Sequence, residues 1–383
     1  MIKGPNGSGV QSALVSRRGF LAGAGAIAGG ALAGSALLTA CADTSGRDAG
    51  ALQISNWTGY IDPRSVAVFE KQTGIGVEYS EDINDNNEWF AKNQLVLAKG
   101  DSIGRDAVVL DDWIANRLIN RLKWAEPLAA GVLQNRANLL PELSNPSHDP
   151  GRRFSLPWAV GLTGIAYNRS VTKRDIRSLD DFLALDSPTA VLSEMRDTVG
   201  LMMRAQGADV TQPTAANAES AFALLEKSVA DGAIDAFTGN DYVSDLATGN
   251  LGAAFAWSGD VAQITRDNPD VRFVIPESGG LIWSDNFVIP KGAEHRVNAT
   301  RWIDFFYDPV NAARLTAYVQ YISPVVGVAD ELAKMGGKAA LLINDPLVVP
   351  TSGMLDSVAN FGILNSSDAD AMDERFALLR GAA

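Results

Sequence analysis

A two-lobed α/β clamshell, hinged by two crossing strands, is the fold this 383-residue sequence predicts. Strand and helix signals alternate within sixty residues of position 51, the signature of a parallel sheet with helices on both faces. The chain is longer than one hydrophobic core usually organises. Two apolar runs, one after Pro157-Trp158 and one ending at Pro290, are placed to carry the chain between lobes and back.

Leu52 to Trp57 reads as a strand ending in a loop. Pro63 to Thr73 reads as a helix, with Pro63 in its first turn and Gly74 closing it. Gly76 to Ser80 is the second strand, Glu88 to Ala98 a helix closed by Gly100, and Ala107 to Leu110 a third, fully buried strand. Ligand loops in such sheets lie beyond the carboxyl ends of the strands, where the loops starting at Asn56, Glu81 and Asp111 fall. Gly161 to Asn168 is expected to be the first crossing. Ala190 to Leu192 reads as a strand, Asp197 to Arg204 as a helix, and Leu251 to Trp257 as a strand. Leu281 to Trp283 and Asn286 to Pro290 form the expected return crossing, followed by helices over Val297 to Tyr307 and Pro309 to Tyr318. The expected division is 52–160 with about 286–383 in lobe 1, and 161–285 in lobe 2.

Residues 1–40 read as a twin-arginine export signal. Ser16-Arg17-Arg18-Gly19-Phe20-Leu21 precedes an uncharged Ala, Gly, Leu and Ile run through Ala40. The run is long enough to span a bilayer, but its Gly and Ala content makes it weakly apolar for a permanent span. It closes on Leu38-Thr39-Ala40-Cys41, the small-residue pattern before a lipidated cysteine. Cys41 is the only cysteine, so no internal disulfide forms and a large core must supply stability. A diacylglyceryl group there would tether the mature protein through a linker over 41–51. Without the first 40 residues the chain carries 29 Lys and Arg against 45 Asp and Glu, a net charge of −16. Nucleic acid is an unsuitable partner for that surface, whereas a cationic solute is attracted by it.

Aromatic residues and carboxylates recur at the expected strand ends: Trp57 and Tyr60, Trp113 beside Asp111 and Asp112, Glu194 and Asp197, Trp257, and Trp283 with Asp285. Any one suits a core or a turn; recurrence at the ligand edge points to capture of an organic cation. An ammonium over an indole gains roughly 0.5 to 2 kcal/mol and a charge-assisted hydrogen bond about 1.5 to 3 kcal/mol. Two or three such contacts reach the roughly 8 kcal/mol of micromolar binding after ordering costs. His148 and His295 fall in polar loop surroundings, giving no support for a histidine metal site or catalytic base. No cofactor is implied. Paired acids beside tryptophans also describe a carbohydrate hydrolase cleft, but the spacing of Glu194 and Asp197 does not demand one.

The motifs together resemble the spermidine/putrescine periplasmic binding proteins of ABC transporters, over essentially all of the mature region. Asn56-Trp57-Thr58-Gly59-Tyr60-Ile61 resembles the family's opening motif, and Thr73-Gly74-Ile75 with Val77 the next. Leu156-Pro157-Trp158 with Gly164 to Asn168 resembles the first crossing. Glu194-Met195-Arg196-Asp197, Trp257-Ser258-Gly259 and Trp283-Ser284-Asp285 resemble binding-site motifs. The resemblance implies a type II periplasmic binding protein, a non-enzymatic receptor that delivers a polyamine to a membrane permease. It implies that Trp57, Tyr60, Trp257 and Trp283, joined by Tyr321, box the methylene chain, and that Glu194, Asp197 and Asp285 receive ammonium groups. Trp113 falls where the family has an aromatic after a Ser-Thr pair; that pair is Asp111-Asp112 here, and Gly59 replaces a common acidic residue. These departures leave open which polyamine or other cationic metabolite is bound, and whether it is transported or sensed. A tethered monomer is the default expectation.

Overall fold

The computed structural model describes residues 50–381. The twin-arginine segment, the apolar run and Cys41 lie outside those residues. Eight strands form the path of the sheet: β1 (Leu52–Trp57), β2 (Val77–Ile83), β3 (Ala107–Asp111), β4 (Ser155–Asn168), β5 (Thr189–Leu192), β6 (Ala236–Thr238), β7 (Ala253–Trp257) and β8 (Gly280–Pro290). Their order is β2-β1-β3-β8-β4-β7-β5-β6, and three short strands at its margins make eleven. β2, β1 and β3 are parallel, as are β7, β5 and β6. The two parallel halves are joined by β8 and β4, antiparallel to each other. This is the α/β clamshell with its two crossing strands.

Local signals account for the helices. In α1 (Pro63–Thr73) the Asp62 carboxylate accepts from Arg64 N, Pro63 opens the first turn, and Gly74 closes at φ 70°, a left-handed conformation glycine adopts without strain. α2 (Asn86–Lys99) starts two residues before the expected Glu88, because the Asp85 carboxylate accepts from Asn87 N and Glu88 N. Asp111 caps the short α3 (Asp112–Asn116). The remaining helices that bear on the site are α4 (Met195–Ala205), α5 (Glu219–Ala230), α6 (Ser258–Asp267), α7 (Arg296–Phe306), α8 (Pro309–Val319) and α9 (Ser366–Arg380).

Both crossings are longer than expected. β4 begins at Ser155 and is buried along its whole length; β8 runs unbroken through the expected gap at Ser284-Asp285. Opposite Asp285 and Asn286 the register skips Trp158, pairing Ala159 and then Pro157. A bulge tolerates the missing N–H of Pro157 and re-aims neighbouring side chains. α9 contacts both α4 and α5: Arg196 pairs with Asp373 at 3.1 Å, and Arg375 with Glu219 and Glu226 at 2.7 Å each. Arg121 also pairs with Asp370 and Arg380 with Asp85, so α9 docks on elements of both the 52–160 and the 161–285 segments. No helix among the described residues is long and apolar enough to cross a membrane.

The first half is organised around Trp302, fully buried on α7, with edge-to-face contacts to Phe69 at 5.0 Å and Phe306 at 4.9 Å. Trp302→Ala should cost about 3–5 kcal/mol by cavity formation, read as a lower urea midpoint at unchanged slope.

Candidate ligand-binding site

The carboxyl ends of the strands converge on a cavity of ≈ 410 Å³. β1 delivers Trp57 and, through a turn, Thr58 and Tyr60; Gly59 in that turn has φ 70°, which favours glycine over a side chain. β3 ends on Asp111. β5 leads through Glu194 into α4, whose first turn carries Asp197, and β7 ends on Trp257 before Asp260 in the first turn of α6. On β8 the two-residue period places Trp283 and Asp285 on the cavity wall, while Ser284 turns its hydroxyl to Asp112 at 2.8 Å. Tyr321, just beyond α8, completes the wall with Asn86 and Asn240.

The rings form one run of contacts. Trp57 meets Trp257 at 6.0 Å, Trp257 meets Trp283 at 6.4 Å, Trp283 meets Tyr321 at 5.9 Å, and Tyr321 meets Tyr60 at 4.9 Å. Two glycines make this possible. A Cβ at Gly161 would lie 2.2 Å from the Trp283 ring, and one at Gly259 2.2 Å from the Tyr321 ring. The indoles are anchored at their N–H groups: Trp57 donates to Val109 O at 3.1 Å and Trp283 to Thr163 Oγ1 at 2.9 Å.

Among the described residues five carboxylates line the cavity, and no Lys, Arg or His does. Asp285 accepts from Tyr60 Oη at 2.9 Å; burial nevertheless pushes its pKa up to about 8, with Asp112, Asp197 and Asp260 adding to the rise. Burial raises Asp197 to about 6, opposed by hydrogen bonds from Thr163 and Trp257. Glu194 is raised well above the usual carboxylate range by burial and then by Asp85. Its Oε1 accepts from Asn86 N at 2.6 Å and Nδ2 at 3.0 Å, while its buried Oε2 has no partner. Asp111 is raised by burial and by Asp112, Asp285, Asp197 and Glu194. Asp260, raised by burial, accepts from Tyr242 Oη and Tyr321 Oη at 2.7 Å each and from Asn240 at 3.1 Å.

The sequence-expected residues Trp57, Tyr60, Asp111, Glu194, Asp197, Trp257, Trp283, Asp285 and Tyr321 all meet on this wall. Trp113 does not. The chain turns helical at Asp112, so Trp113 lies beneath the guanidinium of Arg196, 3.6 Å from its ring centroid, and lines neighbouring cavities. Asp112 is also off the wall, held by Ser284, by Asn286 at 2.7 Å and by His148 at 3.7 Å. His148 lies in its expected loop but is buried there, and His295 pairs with Asp106 at 2.9 Å; neither lines the cavity. Asp260, Asn86 and Asn240 were not expected. Asp260 stands one residue beyond the Trp257-Ser258-Gly259 motif, and Asn86 follows the cap Asp85, so both had a local signal. Among the described residues no group of three or more His, Cys, Asp or Glu side chains is placed to hold a metal ion.

A two-lobed clamshell with a buried, acid-lined cavity at its strand ends defines a ligand receptor. Residues 65–341 match the bacterial extracellular solute-binding protein family, and the chain belongs to it; it is an exported binding protein. It is 30% identical to the putrescine/cadaverine-binding protein of Pseudomonas aeruginosa, over 69% of this chain and 77% of that protein. It is 29% identical to the putrescine-binding periplasmic protein PotF of Escherichia coli, over 76% of this chain and 82% of that one. Among solved structures it is similar to a putative spermidine/putrescine ABC transporter protein of Listeria monocytogenes, with a TM-score of 0.77 and 25% identity, covering 88% of this chain and 100% of that one. The family resemblance read from the motifs is borne out.

Two outcomes follow from this geometry. Gly161→Ala should displace Trp283 and weaken ligand binding at least about tenfold with little change in circular dichroism. Between the ordinary carboxylate range and pH 8 the folded protein holds protons on Asp197 and Asp285 that the unfolded chain has lost. Its stability should therefore fall as pH rises from 5 to 8, read as a decreasing thermal midpoint.

Proposed function

We propose that this chain is an extracytoplasmic receptor that closes over a linear polyamine of the putrescine or spermidine type and presents it to an ABC transporter permease. The observation that carries this reading is the cavity wall: among the described residues, five carboxylates, a run of aromatic rings and no basic side chain. The carboxylates are too dispersed for a metal ion, which favours a cation with its charges separated along an apolar body. Asp285 and Asp111 lie opposite each other in the β8–β3 ladder, and Glu194 and Asp197 come from the β5–α4 turn of the other half. An ammonium at each group and methylenes against the indoles would satisfy both. The relatives named for putrescine, spermidine and cadaverine support this class of ligand.

Binding involves no chemical change; the family works by capture and delivery. Export by the twin-arginine route and anchoring through a lipid on Cys41 are part of the same reading, as is a monomeric state. In this reading residues 52–160 with about 286–383 make one lobe and 161–285 the other, with α9 ion-paired to residues of both.

Calorimetric titration of the mature protein with putrescine and spermidine tests the assignment: saturable binding of at least one is expected, and no heat from either at millimolar ligand would refute it. Asp285→Asn should weaken a diamine by about tenfold or more while leaving the unliganded thermal midpoint equal or higher, since the substitution removes a buried acid. Because acid reprotonates Asp197 and Asp285 but leaves the amine charged, the stabilisation conferred by a diamine should grow from pH 5 to pH 8.

A further inference from the structure

Behind Trp113 lies a second cavity, of ≈ 800 Å³, whose character is the opposite of the first. Arg117, Arg121 and Arg196 line it, together with Ser366, Ala369 and one acid, Asp373, from α9. Two of the three guanidinium groups are neutralised from α9: Arg121 by Asp370 at 3.0 Å and Arg196 by Asp373 at 3.1 Å. Arg117 makes no ion pair with a carboxylate among the described residues, although the charges of Asp373 and Asp370 reach it. It sits over the Phe90 ring, 4.0 Å from its centroid, and its buried Nε has no hydrogen-bond partner. The indole N–H of Trp113 is also buried without a partner, on a residue only 9% exposed. Two open donors, one of them on a guanidinium without an ion pair, around one cavity are unusual in a chain of net charge −13.

We infer that this cavity binds an oxyanion group, a carboxylate or a phosphate, on Arg117 with the Trp113 indole N–H as a further donor. A guanidinium forks onto such groups, and Phe90 beneath it fixes its plane. The group has two possible sources. It could be a free small oxyanion. It could also be the acidic tail of a ligand whose ammonium occupies the first cavity, because a third cavity of ≈ 330 Å³ shares Asp111, Asp197 and Trp283 with the first and Trp113 and Arg196 with the second. The tail source rests on the amine-binding function proposed above; the free source does not.

Titration of the mature protein with inorganic phosphate, with succinate, and with putrescine capped at one end by a succinyl or an acetyl group tests the site. For a free oxyanion, phosphate or succinate binds saturably and Arg117→Ala weakens it about tenfold or more. For a tail, the succinyl-capped amine binds about tenfold tighter than the acetyl-capped one, and Arg117→Ala abolishes the difference. Trp113→Phe, which keeps a ring under Arg196 and removes only the donor, should reduce either effect and serves the same comparison if Arg117→Ala does not fold. Plain putrescine should bind Arg117→Ala within about twofold of the unmodified protein. Failure of putrescine to bind while phosphate still depends on Arg117 would sink the amine reading and leave the oxyanion site standing. If neither the free anions nor the acidic cap depends on Arg117 or Trp113, the site is overturned.

Discussion

Withdrawing carboxylates from water without giving them a cation is the constraint on which the rest of this structure depends. Burial disfavours the charged form of an acid, and here it lifts Asp285 and Asp197 into a range where they hold protons near neutrality. Hydroxyl donors relieve part of the cost: Tyr60 for Asp285, Thr163 for Asp197, and Tyr242 and Tyr321 for Asp260. Burial and the adjacent acids push those phenols up in turn, which keeps them protonated and donating. None of these groups supplies a positive charge. Closing the lobes over these acids alone is therefore costly, and a ligand that brings ammonium groups has differential affinity for the closed form. A neutral or anionic solute of the same shape would leave the acids uncompensated, so selectivity follows from the same desolvation that disfavours empty closure.

The backbone places this charge where sheet energetics alone would not. Asp285 and Asp111 face each other in an antiparallel ladder, where like charges directly opposite are destabilising. The surrounding frame overrides that conflict: β8 and β4 are buried, Trp158 bulges out of register beside Asp285, and its indole N–H donates to Tyr60 O at 3.2 Å. A local contradiction held in place by a consistent surround marks a functional position.

The frame was legible because its signals are local. Pro63, Gly74 and Gly100 bracket helices through backbone conformations that few other residues adopt, and the parallel strands announce themselves as apolar runs between those caps. Most of the cavity wall was legible too, but the case of Trp113 shows the limit of the argument. Residues two apart share a face only while the chain stays extended. That holds for Trp283 and Asp285 within β8, and fails for Asp111 and Trp113, because the helix starting at Asp112 turns about 100° per residue. Docking of α9 was illegible for a different reason. Its ion pairs join Arg121 to Asp370 and Arg196 to Asp373, partners separated by 249 and 177 positions, and no pattern in either segment names the other.

Those pairs bear on the cavity through Arg196, whose neighbour in sequence is Asp197. A guanidinium one residue from a buried acid is a ready counter-ion, and in the cavity it would compete with any cationic ligand. Here the Trp113 ring stacks against it at 3.6 Å and Asp373 fixes it at 3.1 Å, so on the Asp197 carboxyl it acts more weakly than burial or the hydrogen bonds from Thr163 and Trp257. The aromatic that leaves the ligand wall thus helps to hold a guanidinium off that wall. The acid-lined cavity and the arginine-lined one are two sides of a single separation of charge, held apart by Trp113 and by the last helix of the chain.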